Sequence, residues 1–254
     1  MSVPLTQALG HKSMSAEIAR FVESERGRFS DYDNNIFAMA LGNVSRYYHF
    51  LELIVARYEV ASANMRGTFQ ATMTLTEHSH PTYVAARFEE QSQASMLVQI
   101  EIESFYIFSK IVLDKLAQFI DRFFGQIRGV RLLSHAKLAK SIGNFTIQKE
   151  LVISQEHLGQ IASLESAICH YRDKQISHNY NLRIAHGTSW SSDGGVKINS
   201  TSLYPKEHDA DANSDDIVLL LHDIDCYISS TLAFISSNLD RTILSAAGTD
   251  GQRP

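Results

Sequence analysis

The stretch Leu97–Phe124, LVQIEIESFYIFSKIVLDKLAQFIDRFF, decides the fold. Leu97, Ile100, Ile102, Phe105, Ile107, Phe108, Ile111, Val112, Leu116, Phe119, Ile120 and Phe123 cover most sides of a helix. A helix apolar nearly all round belongs in the middle of a bundle or in an interface between copies. One polar line survives on it: Glu103, Lys110, Asp114 and Asp121. Lys110 and Asp114 stand at i,i+4 and are able to pair. Charges on a helix that otherwise demands burial need partners. Glu103 and Lys110 therefore read either as internal or edge ion-pair residues, or as groups standing beside a site.

Working outward, this helix starts near Val84. Before it, residues 43–65 read as a first long helix with Leu51, Ile54, Val55 and Tyr58 on one face. The Thr- and His-rich stretch Thr68–Tyr83 reads as a connector, and residues 1–40 as an N-terminal extension with a short helix at Met14–Glu25. After it, Ser134 caps a short helix that Gly143 stops. Ser154 caps a third long helix, with Glu156 in its first turn. Leu158, Ile161, Leu164, Ile168 and Tyr171 share one face of it, His178 extends that face, and Arg172 lines up with Glu165.

The periodicity then changes. Leu182–His186 and Val196–Asn199, around the turn Ser191–Gly195, predict a small β-hairpin. An acidic loop, Tyr204–Ser214, leads to a last helix from the Ser214 cap to about Leu244. Its inner face is Leu220, Ile224, Tyr227, Ile228, Leu232 and Ile235. The expected fold is mostly α: a four-helix bundle over residues 41–245 with a small β-hairpin inserted before the last long helix, and a disordered tail at 246–254.

The 254 residues are 44% hydrophobic, enough for a substantial core. A net charge of −5 excludes a basic nucleic-acid protein in the ordinary sense. The charge is uneven. Between Lys110 and Lys140 seven cations stand against two acids, and between Pro205 and Asp225 seven acids against one lysine. Such runs read as solvated faces, or, for the first, as a basic patch that accepts RNA backbone. Two cysteines, Cys169 and Cys226, give no disulfide framework and fit a reducing cytosol. The N-terminus lacks a basic-then-apolar signal, and no segment reads as a membrane span. A soluble, cytoplasmic protein is expected.

The stretch with the most chemistry is Tyr171–Tyr180, YRDKQISHNY. The guanidinium of Arg172 is able to clamp a phosphate, and the imidazole of His178 to move a proton near neutral pH. On a straight helix residues six apart are rotated by about 240°, so they do not face one another. Convergence requires the helix to end or distort near Ser177, or a second chain to complete the site. The turn-prone Asn179–Asn181 that follows suits an ending there. The competing reading pairs Arg172 with Glu165 or Asp173 and leaves His178 capping a helix C-terminus. His78 and His80, with Glu77, lie in the connector without matching downstream ligands. His186, on the hairpin, comes within reach of His178 only if the two elements meet. No Gly-rich phosphate loop stands between a strand and a helix.

Arg172-Asp-Lys-Gln-Ile-Ser-His178, at the end of the third long helix, resembles the R-x(4–6)-H motif of the HEPN superfamily (higher eukaryotes and prokaryotes nucleotide-binding). Tyr180 resembles the H-x-Y extension of some toxin members, and Glu103–Lys115 resembles bacterial relatives of phage-defence and toxin proteins. The resemblance implies a metal-independent endoribonuclease that needs no cofactor and acts as a homodimer, joined through the apolar second and third helices. It implies that Arg172 stabilises charge on the phosphorane, and that His178 serves as general base or acid while the RNA 2′-hydroxyl attacks. Asp173 is then expected to orient Arg172, and Lys174 or Tyr180 to bind backbone. A toxin–antitoxin or phage-defence setting implies an antitoxin or regulatory partner, and no membrane. The alternative is a non-catalytic HEPN-like module that binds a nucleotide or a protein; a third class is a structural assembly protein.

Overall fold

The computed structural model describes residues 13–73, 80–170, 183–190, 196–204 and 217–247. The chain is mostly helical: α1 Met14–Glu25, α2 Asp31–Met73, α3 Pro81–Phe124, α4 His135–Lys149, α5 Gln155–Leu164, a π-helical segment Glu165–His170, and α6 Ile217–Ser236. Strands β1 (Arg183–Trp190) and β2 (Val196–Tyr204) pair antiparallel, with a register shift between Ala185 and Gly187. The chain divides into two compact units. The first holds residues 1–51, 107–170 and 221–254, the second residues 52–106 and 171–220. α2 and α3 each contribute to both.

In the first unit, Phe37, Leu41, Val44, Tyr48 and Leu51 of α2 are buried at alternating spacings of four and three, the seam of a helix packed along a neighbour. α3 answers with Val112, Leu116, Phe119 and Phe123. Phe37 meets Phe119 and Phe123 at ring separations of 5.5 and 5.8 Å, and Phe29 meets Phe123 edge-on at 5.9 Å. Phe50 meets Phe108 at 5.5 Å, so the two helices run antiparallel there. In the second unit Arg57 of α2 makes a bidentate bond to Glu101 of α3, with Nη2 at 2.7 and 2.8 Å from its carboxylate oxygens.

Several boundaries move from the sequence reading. The first long helix runs Asp31–Met73 rather than 43–65, because the buried seam begins at Phe37. The helix therefore enters the expected connector, and α3 opens at Pro81, whose fixed φ suits a first turn. Residues 14–40, read as an extension, belong to the first unit: Met14, Ile18, Phe29 and Phe37 are buried. Ser134 caps α4 through its side chain, but the helix passes Gly143 and ends at Glu150 in the left-handed conformation. α3 stops where Gly125 takes φ +74°, and a Cβ there would sit 3.0 Å from Ile243 Cγ2, so only glycine fits.

The last helix ends at Ser236, not near Leu244. Asn238 ends it: its side chain donates to Phe234 O and Val152 O and accepts from Val152 N. The segment beyond is held by Thr242 Oγ1 and Ile243 N donating to Phe123 O, and by Ser245 N donating to Asp33 Oδ2. Ala246 bridges to Phe29, and Ala247 N donates to Arg28 O, so the expected tail starts two residues late at the earliest. Leu220, Ile224, Tyr227, Ile228, Leu232 and Ile235 are all buried, as their spacing predicts. Among the described residues, α6 is one helix long and apolar enough to cross a membrane by length and composition. Its buried face is also what the core helix of a packed domain shows.

Candidate functional site

Arg172, Asp173, Lys174, His178 and Tyr180 lie outside the described residues, as do Glu77 and His78 of the connector. The described structure ends at the approach to this stretch. The other two candidates, Glu103 and Lys110, are described, and each is engaged on its own helix. Glu103 Oε1 accepts from Gln99 Nε2 at 2.7 Å, and Lys110 Nζ donates to Asp114 Oδ1 at 2.6 Å. The ion pair read from their spacing is therefore present for Lys110 and Asp114, while Glu103 takes a neutral amide. The two residues fall in different units of the chain.

The approach is built from α3, α4 and the π segment. Ser134 caps α4 by accepting from Lys137 N, which makes His135 the first helical residue. The backbone N–H of His135 donates to Asp114 Oδ1 at 2.8 Å, so one carboxylate oxygen gathers the Lys110 ammonium and a helix N-terminus. The His135 ring is fully buried, and its Nδ1 lies 3.0 Å from Glu165 Oε2. Glu165 opens the π segment and keeps 29% of its side chain exposed. A polar chain thus runs Lys110–Asp114–His135–Glu165 and ends at the residues that lead into Tyr171.

Behind His135 the rings continue inward. Tyr227 stands edge-on to His135 at 5.5 Å and to His157 at 5.5 Å, and His157 stands edge-on to Phe234 at 5.4 Å. His157 is 2% exposed. Burial pushes its pKa down to about 4, with the nearby His135 adding to the shift and the Ser230 backbone opposing it. At neutral pH it is a neutral core imidazole. The sequence reading placed Leu158 on the inner face and overlooked His157; its place one residue after Glu156 in a capped first turn gives no signal of burial.

The π segment alters the sequence argument. Arg172 aligns with Glu165, and His178 with Tyr171, only on an uninterrupted α-helix. Residues 165–170 wind with i→i+5 bonds, so the α-helical phase does not carry through them. Cys226, exposed on α6, has its thiol pushed up by partial burial and then by Asp225 and Asp223, so it is a poor nucleophile. Among the described residues no group of three His, Cys, Asp or Glu side chains is placed to hold a metal ion. The arrangement on α3, α4 and the π segment anchors a helix end. Comparison with protein-family models, with curated proteins and with solved structures finds no match to this chain.

Proposed function

We propose that the chain is a metal-independent endoribonuclease of the HEPN kind, a four-helix bundle with a β-hairpin before its last helix, working in the cytoplasm as a homodimer. The observation that carries this reading is the R-x(5)-H spacing of Arg172 and His178, reached directly from the π segment Glu165–His170. π turns are rare and concentrate at functional sites, because the wider turn re-aims the side chains that follow. Here the turn begins at a carboxylate fixed by a buried histidine. In this reading Arg172 forks onto the phosphoryl oxygens as charge builds, and His178 takes the proton of the 2′-hydroxyl. The O2′–P bond forms, the P–O5′ bond breaks, and the leaving 5′-oxygen is protonated, giving a 2′,3′-cyclic phosphate. Asp173 orients Arg172, and Lys174 and Tyr180 contact backbone.

A second copy has an apolar surface available. Met96 and Ile100 are exposed one turn apart on the part of α3 that lies in the second unit. An antitoxin or other regulator is the further partner this reading entails. RNA cleavage in the presence of chelator, with the product ends analysed, tests the reading. The parent protein is expected to cut and leave cyclic phosphate, with Arg172→Ala and His178→Ala each slower by about 100-fold or more. Equal cutting by either variant removes the mechanism, and loss of cutting in chelator redirects it to a metal. Binding of RNA or a nucleotide without cutting by the parent favours the non-catalytic module.

A further inference from the structure

The Lys110–Lys140 stretch carries seven cations and two acids, and the fold makes that imbalance larger at the surface. Both acids are engaged within the fold. Asp114 takes the Lys110 ammonium and the His135 N–H, and buried Asp121 accepts from Leu132 N at 2.8 Å. Six cations remain, and among the described residues none of them forms an ion pair. Elsewhere Arg26, Arg28, Arg57, Arg87 and Arg241 each meet a carboxylate. Only Lys115 and Arg131 find side-chain partners in the stretch, and those are neutral amides of Gln118 and Gln126.

All six lie within one unit. Lys115, Gln118 and Arg122 recur at i, i+3 and i+7 on α3, and Gln118 Nε2 donates to Leu133 O at 3.0 Å. That bond holds this face of α3 against the connector that carries Arg131. Arg128 sits at the corner of a tight turn closed by Val130 N donating to Ile127 O, with Gly129 at φ +79°. Lys137 and Lys140 are one turn apart on the exposed side of α4, directly after its Ser134 cap.

We propose that Lys115, Arg122, Arg128, Arg131, Lys137 and Lys140 form a docking face for the phosphodiester backbone of a nucleic-acid duplex. Clustered, unpaired cations neutralise phosphates and release counterions, which is the main source of sequence-independent affinity. The whole chain totals −5 while this stretch carries +5, so the remainder carries −10, a net charge that disfavours a polyanion. A single strand needs exposed rings on which its bases stack. Among the described residues the exposed aromatic side chains are Tyr32, Tyr83 and Phe88, all outside this face. An anionic membrane needs an apolar wedge, and Leu133 is the lone exposed large apolar residue between Lys115 and Lys140. The face is independent of cleavage, since it uses neither Arg172 nor His178.

Fluorescence anisotropy of the full chain with labelled DNA and RNA duplexes, titrated from 50 to 200 mM salt, tests this. Contacts from all six cations give a slope of log K against log salt of about −5 for duplex DNA. Lys137→Gln with Lys140→Gln is expected to lower that slope by about 2, weaken binding about tenfold or more at 100 mM salt, and leave the thermal midpoint unchanged. The DNA duplex has no 2′-hydroxyl to attack, so its binding keeps this result separate from the fate of the nuclease reading. Three outcomes overturn the proposal: no duplex bound at 50 mM salt, an unchanged affinity and slope in the double variant, or tighter capture by a single strand or by anionic vesicles.

Discussion

α3 carries two different surfaces along one continuous helix. From Val112 to Phe124 its large apolar side chains are buried, with Phe119 and Phe123 inside a ring cluster. From Pro81 to Ile100 it exposes Tyr83, Phe88, Met96, Leu97 and Ile100. Both halves are apolar enough to form a core. Among the described residues, the first of these halves shares its unit with several other packed helices. In the first unit α1, α4, α5 and α6 supply buried residues as well, from Ile18 through Phe145 and Ile161 to Tyr227. Apolar composition therefore sets what a helix is able to bury, and neighbours set what it does bury.

The sharpest way to break that comparison is a matched truncation. Phe123→Ala is expected to cost about 3–5 kcal/mol in urea denaturation, as a fully packed ring does, whereas Phe88→Ala changes stability by less than about 0.5 kcal/mol. Equal costs at the two positions would mean that the halves of α3 are packed alike. Acid should act on the first unit next. The pKa of His157 is about 4 when folded, against 6.5 for an ordinary imidazole, so the unfolded chain binds its proton more readily. Its contribution is intact above pH 6.5 and is lost as pH falls toward 4, by about 3 kcal/mol in all. Denaturation midpoints across that window should fall in the parent, and His157→Phe should flatten this part of the profile.

Asn238→Ala tests the clamp between the end of α6 and Val152, in the segment between α4 and α5. It leaves Val152 N and O and Phe234 O without their partner, at an expected cost of about 2 kcal/mol. Faster hydrogen exchange at Val152 is the accompanying signature. Ser134→Ala is the smallest of the set, about 1 kcal/mol for a lost helix cap. It should loosen amide protection at Lys137, because the Ser134 hydroxyl accepts from that N–H.

The helical character of the chain was legible in local pattern. Ser134 and Ser154 cap the helices they were expected to cap, α1 keeps its expected span Met14–Glu25, and the inner face of α6 is read off its spacing. The Lys110–Asp114 pair followed from i,i+4 separation on a helix too apolar to leave charges alone. These features depend on residues within a turn or two of each other. The misjudged ends did not. Gly143 looked like a stop, yet nothing in the packing of α4 needs one there. α6 ends early because Asn238 reaches across to Val152, a partner 86 residues away.

The sequence by itself determined where helices nucleate and which of their faces seek burial, because propensity, capping and periodicity act between near neighbours. It also supplied the spacing of Arg172 and His178 on which the nuclease proposal rests. Only the tertiary structure decided which apolar faces find cover, that residues 165–170 take the wider π turn, and that Asp114 and Asp121 are taken up by backbone N–H groups and leave the surrounding cations without carboxylate partners. Those outcomes depend on groups far apart in the chain meeting in space, and no local pattern encodes such meetings.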